Sequence, residues 1–190
     1  AAGGSGLAAD LLPDGLVRAS AELGVVAARR LPGVTEPPNG TLRDVLASVV
    51  LPGRLSWHGV PGSTTRLLVD SAIDRTGTAA ALATARRAWG AIDHVVVCLP
   101  DHKDLDGAIA ELGGLPVTFV RLPRPRLRFT RPLPSGWDVV GADAVTPAFL
   151  AALGRRVVVL GTVYFTGLVL DVVGAETERL FVTSAARRPS

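Results

Sequence analysis

From residue 65 onward the chain alternates between two kinds of hydrophobic patterning. Five short, nearly continuous apolar runs are rich in Val and Leu: TRLLVD (65–70), HVVVCLP (94–100), VTFVRL (117–122), WDVVG (137–141) and RRVVVLG (155–161). They lack the in–out alternation of a half-solvated strand, which predicts strands covered on both faces. Between and after them lie TAAALATARRAWG (78–90), LDGAIAELGG (105–114), TPAFLAALG (146–154) and VYFTGLVLDVVG (163–174), all of helical period and composition. Strand and helix in regular succession predict a mostly parallel sheet with right-handed crossovers. RLSWHGV (54–60) and ERLFVTS (178–184) are candidate edge strands.

The first 40 residues have a different character. AAGGSG reads as a flexible leader, and LAADLLPDGLVRASAELGVVAARR (7–30) as helix, break at Pro13-Asp14-Gly15, helix. LPGVTEPPNG (31–40) is a linker by its Pro, Gly and Asn content. TLRDVLASVV (41–50) predicts a short amphipathic helix capped by Thr41, with Leu42, Val45, Leu46 and Val49 on one face. The expected architecture is an α/β, Rossmann-like three-layer sandwich preceded by a short helical segment. Residues 1–40 form that segment and its linker, and residues 41–190 the α/β domain.

Composition narrows the function classes. Hydrophobic residues make up 48% and charged residues 19%, enough apolar side chains for one well-cored domain. Apolar runs reach about six residues, far short of the ~20 that span a bilayer, so no membrane association is expected. The opening has no charged n-region followed by an apolar stretch, and the expected compartment is cytoplasmic. One cysteine, Cys98, and three scattered histidines exclude an internal disulfide and argue against structural zinc. No Met occurs, even at position 1, which points to a processed or trimmed chain. A net charge of +3 is spread out, and the one dense basic run, RLPRPRLRFTRP (121–132), reads as a solvated connection rather than a nucleic-acid groove. Against nineteen Arg stands a single Lys, Lys103, within PDHKD (100–104).

In open α/β sheets, ligands gather at the carboxyl ends of the strands. Three predicted strand ends carry polar groups: Asp70, Ser71 and Asp74; His102 and Lys103; Thr162 and Tyr164. A turn, LPGRLS (51–56), presents Arg54 before the first of them. Each group also has a plain structural reading. Asp, Ser and Thr cap helices, Gly161-Thr162 makes a strand-to-helix turn, and Cys98 belongs in the core. A P-loop, a G-x-G-x-x-G fingerprint after the first strand, a G-x-S-x-G elbow and H-E-x-x-H are all absent from the sequence.

Four stretches in order, LPGRLS (51–56), VDSAIDRTG (69–77), PDHKD (100–104) and LGTVYFTG (160–167), resemble motifs in the carboxy-terminal domain of the folylpolyglutamate synthase/dihydrofolate synthase branch of the Mur ligase superfamily. The family's W-P-G-R-L-E turn, D-G-A-H-N-P strand end, D-K-D strand end and G-S-L-Y turn are matched over about residues 40–182. The departures are Ser56 for Glu, Ile73 for His and Asp74 for Asn. The resemblance implies an ADP-forming carboxylate–amine ligase whose carboxy-terminal domain closes over ATP and magnesium bound by a P-loop ATPase domain, with residues 7–30 as the last helices of such a domain. It places Arg54, Asp70, Ser71 and Asp74 at the nucleotide. Lys103, His102, Thr162 and Tyr164 would lie near a small carboxylate or amino-acid substrate. A lone domain of this kind is not catalytic by itself. A stand-alone binding module that has lost ligase chemistry, with a small acidic ligand over Arg54 and Lys103, is the alternative; an unrelated Rossmann-like enzyme is a third.

Overall fold

The computed structural model describes residues 17–178 apart from 34 and 36. The predicted helix before Pro13, the leader 1–6 and the candidate strand from Arg179 onward lie outside the described residues. The chain divides into two compact units, meeting between Val50 and Leu51. The first contains α1 (Val17–Ala28) and α2 (Asn39–Ser48). Helix α2 starts two residues earlier than its pattern suggests. Pro38, with φ −53° and ψ 146°, stands at the cap and its carbonyl accepts from Leu42 N, so Thr41 lies inside the first turn and is not the cap.

The second unit, Leu51–Thr177, is a six-stranded sheet flanked by helices. Its elements are β1 (Ser56–Gly59), β2 (Arg66–Asp70), α3 (Arg75–Trp89), β3 (His94–Cys98), α4 (Leu105–Leu112), β4 (Val117–Arg121), β5 (Asp138–Gly141), α5 (Pro147–Ala152), β6 (Arg156–Gly161) and α6 (Val163–Val172). The strand order is β1-β2-β6-β3-β4-β5, with only β1 antiparallel to its neighbour. The expected mostly parallel α/β sheet is observed, and RLSWHGV supplies the antiparallel edge.

Each strand sends alternate side chains to opposite faces, and both faces are packed. Leu68, Val95, Val97, Val158 and Leu160 meet Ala81, Leu82 and Ala85 of α3 and Leu105, Ala108 and Leu112 of α4. Leu67, Val69, Val96, Cys98, Val157 and Val159 meet Leu150 of α5 and Phe165, Val169 and Leu170 of α6. Strands β2, β3 and β6 are apolar on both sides because neither side sees water. Each large aliphatic side chain buried there contributes about 1.5–3 kcal/mol relative to exposure. Side-chain caps start α3, α4 and α5. Asp74 accepts from Gly77 N, Asp104 from Gly107 N, and Thr146, before Pro147, from Phe149 N.

The winding positions the site. Strands β2 and β3 lead into helices on one face, whereas β6, between them, leads into α6 on the other. Such a reversal leaves a crevice at the carboxyl ends of the strands. The register is level there: Asp70 pairs with Leu160, and Cys98 with Gly161. The segments after β2, β6 and β3 therefore leave the sheet side by side. Close packing at this point depends on Gly161, whose φ is +154° and where a Cβ would stand 2.5 Å from the Cys98 carbonyl oxygen.

Candidate functional site

Arg54 stands on a tight turn, Leu51-Pro52-Gly53-Arg54, closed by Arg54 N donating to Leu51 O at 2.9 Å. Gly53 takes φ +76°, the conformation a type II turn demands of its third residue, and Pro fits the second. The turn is fastened to the sheet from several sides. Gly53 O accepts from Ser71 N at 2.8 Å and from Ser71 Oγ at 3.0 Å. Ser71 Oγ also lies 2.9 Å from Thr166 Oγ1 on α6. Gly53 N donates to Ser56 Oγ at 2.8 Å, and His58 Nε2 lies 2.8 Å from the same oxygen. Burial pushes the His58 pKa down. The position at which the family motif has Glu thus holds a Ser that ties the turn to the edge strand.

Leu55 has φ +46°, the only positive value at a non-glycine among the described residues. Its N–H donates to Asp70 Oδ2 at 2.7 Å, which helps to hold that conformation. A branched side chain in left-handed backbone carries strain that the surroundings must offset, and such residues cluster at functional sites. Here the strain falls beside Arg54. The Arg54 guanidinium makes one long hydrogen bond, 3.4 Å from Nη1 to Ser71 O.

The other expected nucleotide residues are drawn inward. Asp70 is 5% exposed. Burial raises its pKa, against the Leu55 N–H, the Arg54 charge and the Ala72 N–H, which lower it. Ser71 is buried with its hydroxyl engaged by Gly53 and Thr166. Asp74 caps α3 and its carbonyl accepts from Thr78 Oγ1. Ile73 O accepts from Asp104 N, tying this segment to the one after β3. The structure therefore brings Arg54, Asp70 and Ser71 together, with Asp70 and Ser71 acting as the mount for Arg54. The capping role of Asp74 is the plain reading of the sequence.

After β3, His102 is exposed and Lys103 half-buried, just before α4. Asp104 caps α4 and also accepts from Arg75 N at 3.0 Å, and these two N–H groups hold its carboxyl below the ordinary carboxylate range. After β6, Thr162 caps α6 through Phe165 N, is nearly buried, and donates its own N–H to Cys98 O. Tyr164 is 59% exposed, with the Arg124 guanidinium carbon 5.6 Å from its ring centroid. Cys98 is fully buried and its thiol is pushed up to about 12 by burial, which makes it an inert core residue.

The basic run 121–132 is, as expected, a connection with exposed arginines, here between β4 and β5. It is folded against the rim, held by Asp101, whose amide donates to Arg128 O at 2.8 Å. The Asp101 carboxylate accepts from Thr130 N, Thr130 Oγ1 and Arg131 N. Against a desolvation that would raise it, these donors and the Arg131 charge hold the Asp101 carboxyl below the ordinary range. Arg126 and Arg128, with Asp101 and His102, line a shallow open recess of about 400 Å³. Arg124, Arg126 and Tyr164 line a second, of about 210 Å³, with Pro125 and Leu127. Sequence reasoning did not place these arginines at a shared rim with His102 and Tyr164. The signal available was the arginine spacing of two within a proline-rich segment.

Among the described residues no group of three His, Cys, Asp or Glu side chains is placed to hold a metal ion, and no helix is long and apolar enough to cross a membrane.

No protein-family model and no curated protein matches this chain. Solved structures do. It is similar to the Mycobacterium tuberculosis folylpolyglutamate synthase complexed with ADP and AMPPCP, at 20% identity and a TM-score of 0.63, over 88% of this chain and 42% of that one. It is likewise similar to the Yersinia pestis bifunctional folylpolyglutamate synthase/dihydrofolate synthase complexed with AMPPNP and Mn ion, at 18% identity and TM-score 0.61, over 89% of this chain and 41% of that one. The Thermotoga maritima MurC, a UDP-N-acetylmuramate–alanine ligase, matches at 14% identity and TM-score 0.50, over 84% and 38%. The chain spans about two fifths of the length of these proteins. Its mostly parallel α/β fold is the one that these ligase structures contain over the matched part.

Proposed function

We propose that this chain supplies the closing domain of an ATP-dependent carboxylate–amine ligase, over residues 41–190, completed by a P-loop ATPase domain or subunit. The observation that carries the proposal is the mount of Arg54. A turn followed by a strained Leu55 is bonded to Asp70 at the end of β2 and to Ser71, which itself bonds Thr166 of α6, and it offers a guanidinium with one weak internal partner at the crevice of a ligase fold. Arg fits phosphate oxygens in a fork, and a fixed backbone lowers the entropy lost on engaging them. In this class of reaction, ATP activates a carboxylate as an acyl phosphate, which an amine then attacks. The chain's own part is to neutralise phosphate charge with Arg54 and to exclude water by closing.

Asp70 anchors Leu55 through Oδ2, so any ribose hydroxyl would have to meet its other oxygen. Ser71 and Asp74 support the same wall from within. Lys103, His102 and Tyr164 are the groups with free surface toward a small carboxylate or amino-acid substrate, with Thr162 shaping the turn beneath them. On this reading magnesium enters with the ATP phosphates and the completing domain.

A second reading, a binding module without ligase chemistry, is favoured by one observation. Asp70, Ser71 and Asp74 all direct their side chains to internal bonds, and Ile73 replaces a polar group in the same segment. Titration calorimetry separates the two. For a ligase domain, ATP–magnesium binds when a complementary P-loop domain is added, and Arg54→Ala weakens that binding by about 1.5–3 kcal/mol, the loss expected for a charged hydrogen bond, with the circular dichroism spectrum unchanged. Failure to bind under either condition, or full affinity in the variant, refutes the nucleotide role.

A further inference from the structure

The segment 121–132 has the construction of a ligand-holding loop. Its apolar residues turn inward: Leu122 is part of the core, Leu127 and Phe129 pack against it, and the Phe129 ring meets Phe119 edge-on at 5.9 Å. Leu127 N donates to Arg124 O and Arg124 N to Leu122 O, so the backbone is turned and fixed. Pro123 and Pro125 restrict it further. The intervening residues Arg124, Arg126 and Arg128 are all exposed. Arg131, in contrast, is neutralised by Asp106 at 2.5 Å.

Among the described residues the guanidinium groups of Arg126 and Arg128 have neither an ion pair nor a hydrogen-bond acceptor. Both side chains line one recess, on a backbone that the Asp101–Arg128 and Asp101–Thr130 bonds hold in place. The one carboxylate in the larger recess, Asp101, has its oxygens engaged by Thr130 and Arg131, so its charge is taken up by the loop's own donors.

We propose that Arg124, Arg126 and Arg128, with His102 beside them, form a binding site for a small ligand carrying two or more oxyanion groups, carboxylate or phosphate. The fork geometry of Arg suits either group. Recesses of about 400 and 210 Å³ that share Arg126 fit a compact polyanion better than a polymer backbone. The site stands apart from the Arg54 assignment and does not depend on it.

The test titrates the full chain at low ionic strength with tripolyphosphate and with the tricarboxylate tricarballylate, and repeats both with Arg126→Ala/Arg128→Ala and with Arg86→Ala/Arg87→Ala. The control pair removes the same charge from the end of α3. Saturable one-to-one binding of either anion is expected, about tenfold or more weaker in the first double variant and unchanged in the second. Which anion binds more tightly identifies phosphate or carboxylate as the group read. No saturable binding of either anion overturns the proposal. So does an equal loss in both double variants, which would report net charge alone, or tighter binding of a short single-stranded RNA than of either anion. Because both double variants keep Arg54, and the ligase reading is tested separately by ATP–magnesium with a completing domain, failure here and failure of the ligase reading are distinguishable.

Discussion

Gly53 shows how much of this site rests on one missing side chain. Its φ of +76° lies in left-handed backbone, and a Cβ there would approach Thr166 Oγ1 at 3.2 Å. Left-handed backbone costs a residue with a side chain roughly 1–2 kcal/mol, so Gly53→Ala is expected to lower unfolding stability by about that amount in urea titrations. The same substitution should shift Arg54 by loosening the Ser71–Gly53 bonds, and lower any affinity that Arg54 carries. The sequence made Pro-Gly-Arg visible as a turn and Arg54 as its charged product. It did not show that Asp70 and Ser71 would turn inward to support that turn. Ser71 is 95 positions from Thr166, and only the packing of α6 across β2 brings the two hydroxyls together.

At the level of elements, Asp93 ties the entry of β6 to that of β3. Its carboxylate accepts from Arg155 N, Arg156 N and the Arg156 guanidinium, and the bond from that guanidinium is the main cause of a pKa held below the ordinary value of 3.8. A depressed folded-state pKa gives stability that is present above the unfolded pKa and is lost as pH falls through the folded one. Asp93→Asn is therefore expected to lower Tm at pH 7, with the gap to the unmodified chain closing as acid takes the pH below about 3.8. A gap independent of pH would assign the effect to hydrogen bonding alone. The pair is partly exposed, so salt should reduce the difference. The strands and helices of this unit were legible from periodicity because length and apolar density separate them. That 121–132 is a solvated basic connection was legible from composition, but not that an acid, Asp101, 29 positions from Thr130, pins it to the rim.

For the sheet unit as a whole, Cys98 offers a built-in reporter. It is fully buried at the end of β3, in the core on the α6 side of the sheet, and its thiol is pushed up to about 12. Labelling by a thiol reagent at pH 8 is expected to proceed only through opening of the sheet, with a rate that tracks urea-induced unfolding. Rapid labelling of the native chain would show that α6 opens on its own and that the Arg54 mount is mobile. The wider assembly follows from length as well as fold. On the proposed ligase reading, a chain that spans about two fifths of the similar structures supplies one wall of the site, and nucleotide affinity is expected only with the other wall present.

The sequence by itself determined the element types, the doubly covered sheet and the order of polar strand ends, because those depend on local periodicity and on apolar runs that must be buried. It also determined which turn carries Arg54. Tertiary structure alone decided the placement of β6 between β2 and β3, the level register that sets Asp70, Gly161 and Cys98 on one rim, and the inward engagement of Asp70 and Ser71. It alone folded the arginine loop beside His102 and Tyr164. Those outcomes are set by pairings between residues tens of positions apart, whose energies arise only once the sheet has closed and water has been removed from between them.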